Sequence, residues 1–196
     1  MSLPSPKFSS LLICLYLISA IGNMPQPSLR AAEKEIPVTF SGGHDIGRND
    51  FGRPVALIAA ALKVEPDVFR EAFSGVTPAK GRGPSGDEAR RNKAALLKVL
   101  SPHGVTNERL DEVSNYYRYQ PQRDQLWPTT AAKAHAVVED GKIKRIVVTN
   151  PGSGYCTPPQ VKVAGIDGVE FKVKLDLTTD LKKNGAIASV EVLGAQ

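Results

Sequence analysis

About two-thirds of the way along the chain, the spacing of its apolar residues changes. From Pro54 to Tyr119 they recur at steps of three and four; from residue 132 onward they alternate. A 3.6-residue period does not rest as a strand, nor a two-residue period as a helix. The order therefore predicts an α+β fold with its elements segregated: a small four-helix module followed by a small antiparallel all-β module, sandwich or barrel-like.

The helical part reads as four short helices. Pro54 suits a first helical position, and the run Val55 to Leu62 is too apolar for an exposed helix, so it belongs inside. Pro66 opens a second helix with Val68, Phe69, Ala72, Phe73 and Val76 down one face and Gly75 as its stop. Ser85 followed by Glu88 forms a capping box ahead of a third, which ends near Pro102-His103-Gly104. Asn107 caps a fourth bearing Leu110, Val113 and Tyr117, ended by Tyr119-Gln120-Pro121. Helices over 54–119 are preceded by an extended lead-in, 33–53, in which Ile36, Val38 and Phe40 alternate as one short strand or docked arm.

A junction at 120–131, where Trp127 can pin the two parts together, leads into the β module of 132–196. Asp140-Gly141 joins two alternating segments as a hairpin, Pro159 to Val163 gives a third strand, Phe171 to Leu177 a fourth, and Asn184-Gly185 leads into a fifth. The two returning strands repeat at a shift of 44 residues: Gly141, Ile143, Ile146 and Val148 correspond to Gly185, Ile187, Val190 and Val192. Each copy contains a three-residue step that breaks alternation, and a β-bulge at that step keeps its apolar residues on one face. The hairpin is thus read as duplicated.

The N-terminal segment has the order of a secretory signal: Lys7, an apolar run from Leu11 to Ile18, then Ser19, Ala20 and Gly22. Residues 1–32 are expected to be removed, with cleavage after Ala20 or near Ala31-Ala32. The apolar run is shorter than the roughly 20 residues of a bilayer span, so the mature chain is expected to carry no stable membrane span. It would keep 23 basic and 20 acidic side chains, a mild excess that gives no electrostatic footprint for nucleic acid. Cys14 would leave with the signal. Cys156 then stands alone, and no intramolecular disulfide forms in the mature chain.

The segment Val147-Val148-Thr149-Asn150-Pro151-Gly152-Ser153-Gly154-Tyr155, followed by Pro158 to Val163, resembles a β-repeat of exported and phage structural proteins. Gly42-Gly43-His44-Asp45 through Arg53-Pro54-Val55, with Val68 to Phe73 and Asn115 to Tyr119, resembles the helical module of uncharacterised bacterial signal-peptide proteins. The resemblance implies export and a helical module followed by a Gly-Ser-Gly-Tyr-type repeat, and it carries over no catalytic residue. The chain departs from the repeat pattern at Cys156, where Ser or Thr is usual, and its second copy stops at Gly194 before another such loop.

Two clusters carry candidate chemistry. His44, Asp45 and Asp50 combine an imidazole with carboxylates, the ingredients of acid/base or metal-dependent hydrolysis, and Arg48 and Arg53 nearby suit an anion. The competing reading makes His44 and Asp45 turn residues and Asp50 a helix cap. Tyr116, Tyr117, Tyr119 and Trp127, with Arg118, suit stacking on sugar rings or a partner surface, against the alternative that Tyr117 and Trp127 fill the seam between modules. Gly81-Arg82-Gly83-Pro84-Ser85-Gly86 spells a dinucleotide fingerprint but follows a helix where that fingerprint needs a strand. No cofactor and no metal set is expected. The expectation is a non-catalytic binding or structural module, secreted or periplasmic, that meets an envelope polymer, polysaccharide or protein; the rival is a small hydrolase built on His44, Asp45 and Asp50.

Overall fold

The computed structural model describes residues 33–77, 83–118 and 125–194, which form one compact unit. Residues 1–32, expected to be a signal segment, and Gly81-Arg82 and Tyr119 lie outside the described residues. Those described hold four α-helices and antiparallel sheets of six strands: β1 (Lys34–Ser41), α1 (Val55–Leu62), α2 (Pro66–Ser74), α3 (Gly86–Leu100), α4 (Asn107–Tyr116), β2 (Lys133–Glu139), β3 (Lys142–Asn150), β4 (Gln160–Val163), β5 (Glu170–Asp176) and β6 (Ala186–Leu193). The fold class is α+β, with four helices and an all-antiparallel β part. None of the described helices is long and apolar enough to cross a membrane.

Local sequence explains the helices. Pro66 occupies the first turn of α2, and Ser85 with Glu88 makes both bonds of a capping box on α3. On α4 the cap is Thr106, whose side chain accepts from the Arg109 N–H, one residue earlier than Asn107. The apolar α1 is the hub of the helical core: Val55, Leu57, Ile58, Ala59, Ala61 and Leu62 are all buried, joined by Phe69, Leu100, Leu110 and Val113 from the other helices. Each large side chain buried there contributes about 1.5–3 kcal/mol.

The lead-in strand is not peripheral. β1 runs between β2 and β4 in a four-stranded sheet ordered β3-β2-β1-β4, with Val38 opposite Ala134 on one side and Val163 on the other. All four helices are thus inserted between two neighbouring strands of one sheet. The β5-β6 hairpin covers that sheet. Phe171 and Val192 pack with Ile36, Val38, Ala136, Val138 and Ile146, while Val173 and Ile187 pack with Phe40, Val148 and Tyr155.

The 44-residue repeat is structural. In β3, Val137 faces Arg145 and Val138 faces Ile143, leaving Lys144 as an extra residue; in β6, Lys174 faces Ser189 and Leu175 faces Ile187, leaving Ala188 as the extra one. Lys144 and Ala188 are equivalent positions of the repeat. A bulge in each copy turns the three-residue step into one continuous buried face.

Candidate functional site

His44, Asp45 and Asp50 each engage a different partner. Gly42 and Gly43 turn the chain at positive φ onto the loop after β3, where the Gly43 carbonyl accepts from the N–H groups of Cys156 (2.9 Å) and Thr157 (3.1 Å). A β-carbon on Gly43 would lie 2.6 Å from the Tyr155 ring. The same turn lays His44 on Tyr155, ring centroids 5.1 Å apart, with Trp127 at 6.1 Å; the His44 Nε2 is buried without a hydrogen-bond partner among the described residues. Burial lowers the His44 pKa, against Asp45 and a Gly42 backbone hydrogen bond that raise it. Asp45 meets Thr157 at 3.4–3.5 Å, whereas Asp50 is held by Arg70 at 2.8 Å. Asp50 is therefore an ion-pair partner of α2, not a cap of α1. No three His, Cys, Asp or Glu side chains among the described residues converge as a metal set.

Cys156 is half-buried. Its thiol donates to the Asp45 carbonyl at 3.3 Å, and burial pushes its pKa up to about 11, so at neutral pH it stays a protonated packing residue.

The aromatic cluster divides. Tyr117 and Trp127 are 1% and 2% exposed, too buried to stack on a ligand. Trp127 donates its indole N–H to the Gly154 carbonyl at 2.9 Å, and Tyr117 meets Asn184, the only polar side chain with no exposure at all among the described residues. Asn184 Nδ2 donates to the Leu57 carbonyl (2.8 Å) and to the Tyr117 hydroxyl (2.9 Å), and its Oδ1 accepts from the Thr178 N–H (3.0 Å). One amide thus ties α1, the end of α4 and the β5-β6 connection together. Burial carries the Tyr117 pKa up to about 12 and keeps the phenol neutral. Beside this seam Tyr116 lines a shallow hollow in which Arg109 is engaged by the Ala61 carbonyl, the Thr179 carbonyl and Glu112, with Lys182 as a second cation of its lining.

Arg118 points the other way, into a groove of about 520 Å³ between α2, α3 and α4. Phe69, Phe73 and Leu96 form its apolar wall, and Phe51 stands at its edge, 76% exposed. Phe51 holds a left-handed backbone, φ +47°, which costs a non-glycine residue about 1–3 kcal/mol. Most polar groups here are paired inside the protein: Asn92 exchanges two hydrogen bonds with the Thr77 backbone, and Lys93 pairs with Asp111 at 2.7 Å. Arg53 is different. Its guanidinium lies 4.4 Å from the centre of the Phe73 ring and makes no ion pair with any described carboxylate. Burial, and then the charge of Arg118, lower its pKa from the ordinary value, though it remains a cation.

No family model, curated protein or solved structure matches the chain.

Arg53 was visible in the sequence as a candidate anion holder and Arg118 as a companion of the tyrosines; Phe51, Phe73 and Asn92 were not singled out as site residues. Phe73 reads as plain helix core, and no periodic signal points to Phe51, which precedes a glycine at the end of a 3-10 turn (Arg48–Asp50).

Proposed function

We propose that the protein is a non-catalytic binding module acting outside the cytoplasm, and that its ligand occupies the groove between α2, α3 and α4. The observation carrying this reading is Arg53, a half-buried cation stacked on an aromatic ring, beside a second cation, with no ion pair to any carboxylate among the described residues; Asp111 of the same groove is taken by Lys93. Desolvating a charge without a partner is unfavourable, and an arrangement of that kind in a concave apolar site is expected where a ligand supplies the partner. Export is supported by the order of Lys7, the apolar run and the small residues after it. An envelope polymer, polysaccharide or protein remains the partner class of this proposal, with the helical groove replacing the β-loops as the contact surface.

The hydrolase alternative loses its support once Asp50 is bound to Arg70 and His44 is packed on Tyr155.

Co-sedimentation of the purified protein with envelope isolated from its source cell, at low and high salt, tests the reading. Retention that survives salt and is lost in Phe51→Ser supports it, since Phe51 is exposed and its removal leaves the core intact. Absence of sedimentation, or retention unchanged in Phe51→Ser, overturns it.

A further inference from the structure

Resting on the groove reading above, we infer that the ligand group recognised there is a carboxylate at the end of an apolar arm, gripped by Arg53 and Arg118 while the arm lies on Phe73 and Phe51.

Four observations converge on this class. First, the hydrogen-bonding groups left for a ligand are few. Asn92 is bound within the protein, Lys93 and Asp111 bind each other, and Arg118 gives one N–H to Asn115 Oδ1 at 2.9 Å, which leaves the rest of its fork and that of Arg53 as the charged donors, with the Ser114 hydroxyl and the Asn115 amide beside them. Second, those charged donors are guanidinium groups, whose planar fork matches the two oxygens of a carboxylate. Third, the surface around them is built of Phe69, Phe73, Leu96 and Phe51, which favours an apolar extension and disfavours a fully hydrated ion. Fourth, Phe51 is held outward in a strained backbone conformation, where an apolar arm would cover a ring that now faces water.

The chemistry has two natural sources, a small aryl or acyl acid and the C-terminus of a peptide ending in an apolar residue. It excludes neutral sugars as the gripped group, because a sugar hydroxyl offsets neither cation.

Calorimetric titration of the full chain distinguishes these cases, with 3-phenylpropionate, the peptide Ala-Ala-Phe bearing a free C-terminus, the amides of both, and inorganic phosphate as probes. The inference expects at least one acid to bind, its amide to bind at least tenfold more weakly, and Arg53→Gln and Arg118→Gln each to weaken the acid at least tenfold. Lys98→Gln, at an exposed position of α3, should change nothing. The tighter acid identifies the source. Equal binding of acid and amide, tighter binding of phosphate than of either acid, no binding of either acid, or indifference to both arginine substitutions overturns the inference. If envelope retention still depends on Phe51 under any of those outcomes, the binding reading stands and only the ligand class is wrong.

Discussion

Arg109 and Arg53 occupy hollows on the same helical half of the protein and are treated in opposite ways. Arg109 sits at the seam with the β half, where two backbone carbonyls and Glu112 take up its donors, so its charge serves the fold. Arg53 rests on Phe73 beside Arg118, and no described acid reaches it. A charge-assisted hydrogen bond to a carbonyl of another element contributes stability; a half-buried charge beside a like charge detracts from it. The first arrangement is that of a structural arginine, and the second is the basis of the binding role proposed for Arg53.

Substitutions sharpen that contrast, most strongly on the seam side. Gly185 adopts φ +72°, and a β-carbon there would lie 2.4 Å from the Tyr155 carbonyl oxygen, so Gly185→Ala should destabilise by about 3–5 kcal/mol in urea unfolding. Its repeat equivalent Gly141 has φ +74° but open space around it, and Gly141→Ala should cost only about 1 kcal/mol. Asn184→Ala, which strands the Thr178 N–H and takes from the buried Tyr117 hydroxyl and the Leu57 carbonyl the bonds they receive across the seam, should cost about 3 kcal/mol by the same measurement. Arg109→Gln should cost about 1–2 kcal/mol, because the shorter amide cannot span the Ala61 and Thr179 carbonyls. If Arg109→Gln is neutral while Arg53→Gln unfolds the protein, the assignment of roles is reversed.

The smallest effect is in pH. The lowered pKa of His44 means that the unfolded chain binds the proton more readily than the folded one. Stability associated with neutral His44 is therefore fully present above pH 6.5 and is lost as the pH falls through its lower folded value. His44→Phe, which keeps a ring on Tyr155, should flatten the slope of stability against pH below 6.5; an unchanged slope would show that the imidazole does not titrate in that range.

Much of the fold was legible because its signals are local. Pro66, the Ser85–Glu88 box and Asp140-Gly141 each act within a few residues, and they place α2, α3 and the β2-β3 hairpin where the structure has them. The three-residue step in both repeat copies even gave the bulges at Lys144 and Ala188. What escaped the sequence depends on pairing across long separations. The burial pattern of β1 is the same whether it lies at an edge or at the centre of a sheet, so nothing in its residues tells that it is flanked by β2 and β4. Asn184-Gly185 has the composition of a turn, yet Asn184 also reaches 127 residues back to the Leu57 carbonyl. The site was legible only in part for the same reason: Arg53 and Arg118 are 65 positions apart, and only the packing of α2, α3 and α4 brings them to one groove.

The central claim is that the charge of Arg53 is held for a ligand and not for an ion pair of the fold. It is tested most directly by measuring urea unfolding and envelope retention on the same preparation of Arg53→Gln. Stability within about 1 kcal/mol of the parent chain, as expected for a substitution that breaks no ion pair among the described residues and loses only the contact with the Phe73 ring, together with lost retention, is the predicted result. A loss of 2 kcal/mol or more, or retention equal to that of the parent chain, would contradict it.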